Sequence, residues 1–396
     1  MKNFKHQVFR LLLISMAIWI VACSEDTDPT PSPQAPTQQE DIAAVDSQIE
    51  SFISQYNVPG ASLAISKNGK LVYQKAYGVA DQAQNKAMEL NTQMRVASVS
   101  KTFTGMAIML LVQDGEISLE DKVFGEGGIL GTTYGTKAYS DRVKQVTVKN
   151  LLQMTTGGWV VNGNRDAIDY EQGRTNAGFF DWMMDNATLN FNPGTQYWYI
   201  NTNYFVAARI VEKVSGKSFS QFVKERITDP LKMSGTAYGK NGTQGRLPNE
   251  AIYYGQGGTK GFEYNFNLER RDGDAGIVTT APDLLRFVTA IDGNPSRPDL
   301  LESAIYNQFV QGSSVNPGFA NGIAQANQVK YFYGALPGTR SGYMFHSNGM
   351  AAALIFNGNG DYTQSNYNST FARAHDELMV NLITKNLNVY QDIDQF

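Results

Sequence analysis

The run Arg95-Val96-Ala97-Ser98-Val99-Ser100-Lys101-Thr102-Phe103-Thr104-Gly105 leads into Met106-Ala107-Ile108-Met109-Leu110-Leu111-Val112 and ends near Asp114-Gly115. Its second half is apolar at every position. A helix formed there has no polar face to turn to water and is buried on most sides. The fold has to be built around it. Ser98 falls where an N-cap or first-turn residue belongs, and Lys101 follows at i+3 on the same helical face.

That placement has a chemical reading. A helix N-terminus favours developing negative charge, and a lysine stripped of water loses affinity for its proton and becomes a base. A serine and a lysine so arranged meet the needs of acyl transfer through serine without a histidine. The tetrapeptide equally fits an N-capping serine followed by a solvated lysine. Ser98 is the only serine with lysine three residues on, but the choice between the two readings rests on the rest of the chain.

With 396 residues, 42% hydrophobic and 18% charged, the chain has material for one large domain or two intimately packed ones. A net charge of −4 gives no basic excess for nucleic acid. At the N-terminus Lys2, Lys5 and Arg10 precede an apolar run, Leu11 to Val21, too short and wrongly flanked for a membrane span. It ends in Ile20-Val21-Ala22-Cys23, which resembles the lipobox of bacterial lipoproteins. The resemblance implies removal of residues 1–22, lipid on Cys23, a membrane partner through that anchor and an address in the bacterial envelope, its face left open. A plain cleaved signal with an incidental cysteine is the alternative. Cys23 is the only cysteine, so the mature chain has no internal disulfide, cysteine nucleophile or thiolate metal site. Residues 23–40, rich in Pro and Thr, read as a disordered tether.

Asp41 to Tyr56 carries a helical apolar pattern, and Ala61–Ser66 with Leu71–Gly78 reads as a hairpin about Asn68-Gly69. From 124 to 269 the pattern changes to short helical pieces (148–154, 179–185, 204–215, 219–231) and a long loop region from 236 to 268. A helix opens at Ala281-Pro282, with proline at its first position. Strands follow near 338–345 and 350–357, and a closing helix runs from about Ser369 to Asn386. Strands at both ends with helices between predict an α+β fold, an α/β sandwich with one antiparallel sheet from both chain ends. Residues 41–123 and 270–396 would form the sheet-containing part, and 124–269 a mostly helical insert.

Tyr199-Ile200-Asn201, 101 residues after Ser98, is the only Tyr-x-Asn in the chain. A tyrosine beside a lysine can share its proton and serve as general acid or base, and an asparagine offers both a donor and an acceptor. A buried tyrosine in an aromatic-rich loop is the plainer reading of the same residues. Taken together, Ser98-x-x-Lys101 and Tyr199-x-Asn201 resemble the serine β-lactamase and penicillin-binding protein superfamily, specifically its class C-like branch, which also holds D-aminopeptidases, DD-carboxypeptidases and esterases. Further stretches agree in order: Val58-Pro59-Gly60, Leu151 to Gly158, Pro193-Gly194 and Ala275 to Leu284. The resemblance spans residues 41 to 386 and implies a β-lactamase-like fold. It makes Ser98 the nucleophile, Lys101 and Tyr199 the proton-handling pair, and Asn201 the residue that orients substrate and Lys101. The N–H of Ser98 and of a residue on an opposing strand would form the oxyanion hole.

The family places Lys-Thr-Gly or His-x-Gly on that strand. Here the matching stretch is Phe332-Tyr333-Gly334-Ala335-Leu336-Pro337-Gly338. Gly334 and Pro337-Gly338 match, which makes Ala335 N–H the second oxyanion donor, but Phe332 stands where the cation belongs. By resemblance that cation meets the substrate carboxylate in β-lactamases and carboxypeptidases, whereas some esterases of the family carry an aromatic or apolar residue there. Phe332 therefore favours ester or uncharged amide substrates, with Tyr333 or Arg340 as candidate partial substitutes.

His346 reads as a strand-end histidine, His375 lies in the last helix and His6 in the signal segment. With so few histidines and no HExxH or cysteine cluster a zinc β-lactamase is excluded, no metal or cofactor is expected, and no Gly-x-Ser-x-Gly elbow is present. The sequence thus points to an acyl-enzyme serine hydrolase acting on small ester, amide or peptidoglycan-type substrates. A D-peptidase or β-lactamase, or a family member that binds muropeptides or β-lactams without turnover, is the alternative. The oligomeric state is left open.

Overall fold

The computed structural model describes residues 40–385 and 387–396; the signal segment, the proposed lipid site Cys23 and the tether up to residue 39 lie outside the described residues. Helix α1 (Ala43–Tyr56) buries Val45, Ile49 and Phe52, and Asn57 ends it in the left-handed region at φ 50°. Strands β1 (Gly60–Lys67) and β2 (Lys70–Asp81) turn through Asn68 and Gly69, both at positive φ. A two-residue turn of that hand matches the twist of the strands it joins. Strand β3 (Lys86–Ala87) completes this edge.

Helix α2 (Ser100–Gln113) is the predicted central helix, with every residue from Ser100 to Leu111 buried. Helix α3 (Thr202–Ser215) packs on it. Gly105 shows how close α2 comes to its neighbours: a methyl group there would lie 2.1 Å from the carbonyl oxygen of Asn321. That approach accounts for a residue that costs a helix interior about 1 kcal/mol relative to alanine. Helix α4 (Ala281–Val288) starts under Thr280, whose hydroxyl accepts the Asp283 N–H at 3.2 Å; this cap puts Pro282 at the second helical position, one later than the sequence suggested. Phe103 of α2 stacks on Phe287 of α4 with ring centroids 3.8 Å apart.

The chain then lays down β4 (Ala324–Ala326), β5 (Val329–Leu336), β6 (Thr339–His346) and β7 (Met350–Phe356), and closes with helix α5 (Phe371–Thr384). All seven strands join one antiparallel sheet in the order β3-β2-β1-β7-β6-β5-β4. Its centre is the pairing of the first strand with the last, Ala61 opposite Phe356 and Lys67 opposite Met350. The α+β architecture with a sheet built from both chain ends is therefore as expected. Ala351, Ala353 and Ile355 of β7 face the layer holding α2 and α4, while Ala352, Leu354 and Phe356 face α1 and α5. Burial on both faces explains why β7 is apolar throughout, without the alternation of a half-exposed strand.

Residues 124–269 contribute short helices, among them Asn176–Asn186, capped by Thr175. The single helix predicted for 219–231 is instead an α-helix at Phe219–Val223 followed by a π-helical turn at Lys224–Thr228. Strand Ala237–Tyr238 pairs with Ile277–Thr279, which also pairs with Met94–Arg95. This small sheet fixes the entrance to α2, and Glu40 to Phe396 forms one contact unit.

Candidate active site

Arg95 ends the short strand ahead of α2. Its guanidinium lies over the rings of Tyr253 (4.3 Å) and Tyr264 (4.8 Å), and its backbone N–H donates to the Tyr253 hydroxyl at 2.9 Å. Two residues on, Ala97 sits at φ 48°, a region that an alanine enters only against steric resistance. That conformation turns the chain abruptly from strand to a 3₁₀ turn, Ala97–Val99, and leaves Ser98 at the head of α2, half-buried. Ser100 holds the turn from below, its hydroxyl accepting the Ile277 N–H at 3.0 Å. Ser98 lies in the first turn of this helical segment, where N–H groups have no acceptor within the helix.

Lys101 has no exposed surface. Its Nζ donates to Ser98 Oγ and to the Asp274 carbonyl oxygen, each at 3.0 Å. Burial pushes the ammonium down from 10.5 to about 8; the nearby Asp274 carboxylate opposes the fall and Arg271 adds to it. A lysine with that proton affinity is chemically able to serve as a general base near neutral pH.

Tyr199 reaches the same point from the loop before α3, its ring centroid 5.1 Å from Lys101 Nζ. The ring keeps the residue 37% exposed, while the hydroxyl end is enclosed by protein. That enclosure raises the phenol well above its ordinary value, a rise partly offset by hydrogen bonding with Ser98. Tyr199 therefore rests protonated, and Lys101 is the stronger resting base of the two. The loop is held by Asp166, which accepts the Asn201 N–H at 2.5 Å and also bonds Thr202. Asn201 stands at the N-cap of α3 with no capping bond from its side chain, and Lys101 Nζ hydrogen-bonds Ser98 and Asp274 rather than Asn201.

Strands β5 and β6 pass beside the same turn. Ser341 Oγ donates to the Val96 carbonyl at 2.7 Å, and a methyl group on Gly334 would come within 2.1 Å of that oxygen. Leu336 pairs with Thr339 across the Pro337-Gly338 turn. Antiparallel pairs alternate between bonded and non-bonded, so the Ala335 N–H, one residue back, points away from β6 and off the sheet edge. Lying next to Gly334, which packs on the Val96 carbonyl, it is a candidate donor to an oxyanion at Ser98.

Phe332 is 5% exposed and faces the α2 side, against Phe319 at 5.8 Å. Phe319 in turn meets Tyr199 edge-on at 6.4 Å and Tyr197 at 5.6 Å. The wall opposite Tyr199 is therefore aromatic. Tyr333 was expected at the substrate, but strand alternation puts it on the opposite face of the sheet, 5.1 Å from His375 and under the Arg340 guanidinium. Arg340 is held there by Asp376 at 3.0 Å. Neither residue supplies a cation to the Ser98 side. His375 is fully buried and pushed down to about 4 by that burial and by Arg340, and His346 ends β6, its Nδ1 accepting the Asn348 N–H.

Sequence reasoning missed three residues. Asp274 and Arg271 converge on Lys101 from 173 and 170 positions away (274 − 101, 271 − 101), and Phe319 bridges Phe332 to Tyr199. The stretch from Ala275 to Leu284 was a visible family segment, so the carboxylate of Asp274 just ahead of it was the available signal.

Residues 45–376 match the family model described as Beta-lactamase. Among curated proteins, Protein flp of Staphylococcus aureus (strain MW2) is 27% identical over 303 residues, covering 76% of this chain and 57% of that protein. A D-aminopeptidase of Brucella anthropi is 29% identical over 284 residues, covering 68% of this chain and 48% of that protein. The chain thus spans about half the length of the curated relatives it matches. Among solved structures, the D-amino acid amidase from Ochrobactrum anthropi SV3 complexed with D-phenylalanine superposes with a TM-score of 0.68 at 21% identity. That match covers 86% of this chain and 99% of the amidase, and it shows a common fold.

Proposed function

The chain belongs to the Beta-lactamase family, and from that premise we propose that it is a serine hydrolase that forms an acyl-enzyme on Ser98, preferring esters and uncharged amides. The observation that carries the reading is a buried Lys101, 3.0 Å from Ser98 Oγ, facing an aromatic wall in which Phe332 stands on the strand beside the oxyanion site. Neutral Lys101 takes the Ser98 proton as Oγ bonds to the substrate carbonyl carbon. The oxyanion is received by the N–H groups of Ser98 and Ala335. The bond to the leaving group then breaks, Tyr199 gives that group its proton, and Lys101 returns a proton to Tyr199. Water attacks the acyl-enzyme carbonyl and passes its proton to neutral Lys101; the bond to Ser98 Oγ then breaks, Oγ takes that proton back, and the acid leaves. An aromatic wall without a cation rewards an apolar acyl group and leaves a carboxylate there unpaired.

A second reading, hydrolysis of amino-acid amides or D-peptides, is supported by relatives named D-aminopeptidase and D-amino acid amidase. A burst-phase assay separates the readings by comparing a p-nitrophenyl acyl ester, a D-amino-acid p-nitroanilide and a chromogenic cephalosporin, with Ser98→Ala as control. Ester turnover lost in the control is the expected result. Anilide turnover in excess of ester turnover would replace the ester reading with the second one. A stoichiometric adduct on Ser98 that never turns over would make the protein a binder. We also place the protein in the bacterial envelope with lipid on Cys23; incorporation of an alkyne-tagged fatty acid, abolished by Cys23→Ser, is the expected outcome.

A further inference from the structure

We propose that the Asp274–Arg271 ion pair, outside all three motifs, is a positioning pair that holds Lys101 Nζ against Ser98 and sets its charge balance. The inference rests on the reading of Lys101 as the base for Ser98.

The geometry is specific. Asp274 has no exposed surface, and its carboxylate lies 3.9 Å from Lys101 Nζ through Oδ2. The same oxygen accepts Arg271 Nε at 3.0 Å and Nη2 at 2.7 Å. Its other oxygen, Oδ1, is buried with no hydrogen-bond partner, an uncommon condition for a carboxylate. The backbone carbonyl of the same residue takes the lysine's second hydrogen bond at 3.0 Å. One residue thus grips Lys101 twice, by a bond that fixes position and by a charge that acts through space. Thr104 of α2 fixes the segment by donating to the Gly273 carbonyl at 2.6 Å.

The charges around Nζ form a small set. Asp274 and Arg271 reach it from one side, and Asp166 and Asp169 from the segment beside α3. The rings of Tyr199 and Tyr204 close the space at 5.1 and 5.9 Å. Arg271 also holds Asp169 at 3.3 Å, so it is shared between two carboxylates. Desolvation by itself would leave Lys101 a feeble base. Asp274 restores part of its proton affinity, and Arg271 limits how much. The two partners therefore act on Lys101 with opposite sign, so replacing each in turn should move the lysine in opposite directions.

The test is the titration of Lys101 followed by NMR in protein labelled with ¹³C,¹⁵N-lysine, its signal assigned by loss in Lys101→Met. Asp274→Asn keeps the backbone carbonyl contact while removing the carboxylate charge, and is expected to move the midpoint down by about one pH unit. Arg271→Gln leaves Asp274 unopposed and is expected to move it up by a similar amount. The acid limb of ester kcat/KM should follow each midpoint, so that Asp274→Asn loses less activity at pH 6 than at pH 9. Thermal unfolding of each variant confirms that it is folded. Midpoints that stay within about 0.3 of wild type, or move in the same direction in both variants, would overturn the proposal. If the midpoints move oppositely while no substrate is turned over, the pair stands and the hydrolase reading fails.

Discussion

Replacing Lys101 by methionine tests the central claim from the side of stability. The ammonium is buried with an affinity for its proton lowered from 10.5 to about 8. Between those values the unfolded chain binds the proton and the folded protein does not, so stability from this group rises with pH through the window and is lowest below pH 8. At about 1.4 kcal/mol per pH unit, the gap of about 2.5 (10.5 − 8) means that charged Lys101 costs the fold about 3 kcal/mol at pH 7 and about 1 kcal/mol at pH 9.5. Methionine removes that cost and introduces one of its own, the unsatisfied Asp274 carbonyl, on the order of 1–3 kcal/mol and independent of pH.

The signature is therefore a slope. Urea unfolding of wild type and Lys101→Met at pH 7 and pH 9.5 should show wild type gaining about 2 kcal/mol on the variant between the two. Every other titrating group is common to both proteins and cancels in the difference. A difference that does not change with pH would refute the reasoning, because it would mean that Lys101 titrates as an ordinary solvated lysine. The same group should appear in catalysis. With a value of about 8, about one Lys101 in ten is neutral at pH 7, against roughly one in three thousand for an unperturbed lysine. The acid limb of kcat/KM should thus bend near pH 8, where the stability curve bends.

Tyr199→Phe keeps the ring over Lys101 and removes the proton donor, so kcat should fall about 10²- to 10⁴-fold with thermal stability little changed, by steady-state kinetics and calorimetry. Gly334→Ala forces a methyl group to within 2.1 Å of the Val96 carbonyl, and unfolding should register about 1–3 kcal/mol of destabilisation together with loss of the acylation burst. Phe332→His should raise kcat/KM for a carboxylate-bearing acyl substrate relative to a neutral ester by about tenfold, the scale of one added charged contact. An unchanged ratio would remove Phe332 from the account of specificity.

What could be read in the sequence follows the range over which each signal acts. The burial of α2 is local, written in seven successive apolar residues, and the hairpin about Asn68-Gly69 is local too. Tyr199 was reachable because its motif has a fixed spacing of side chains within one loop. Asp274 was not read, since the adjoining Ala275-Gly276 stretch marks a place in the fold but does not say that the carboxylate beside it meets a lysine 173 positions away (274 − 101). Tyr333 shows the opposite failure. It was placed by its position in the motif, but strand alternation assigns it to the far face, where His375 and Arg340 hold it. The π-helical turn at Lys224–Thr228 also escaped, because one extra residue per turn leaves the apolar pattern of a short helix almost unchanged.

These misses bear on how the site works. A serine and a lysine three residues apart on a helix are not yet a catalytic pair, because in water the lysine keeps its proton. Two features of the structure set Lys101 apart from that case. Ala97 at φ 48° ends the strand so sharply that Ser98 projects at the helix head, while Lys101, one turn on, stays under the surface. The 271–274 segment then closes over the lysine, with a carbonyl to hold it and a carboxylate–guanidinium pair to balance it. Removing the strain at Ala97 should accordingly affect chemistry more than folding. Ala97→Gly relieves about 1 kcal/mol of left-handed backbone cost and loses about as much methyl burial against Leu268, Ala275 and Leu336. Its melting temperature should stay close to wild type while kcat falls, since glycine frees the turn that aims Ser98. Equal losses in both measurements would mean that Ala97 serves the core and not the nucleophile.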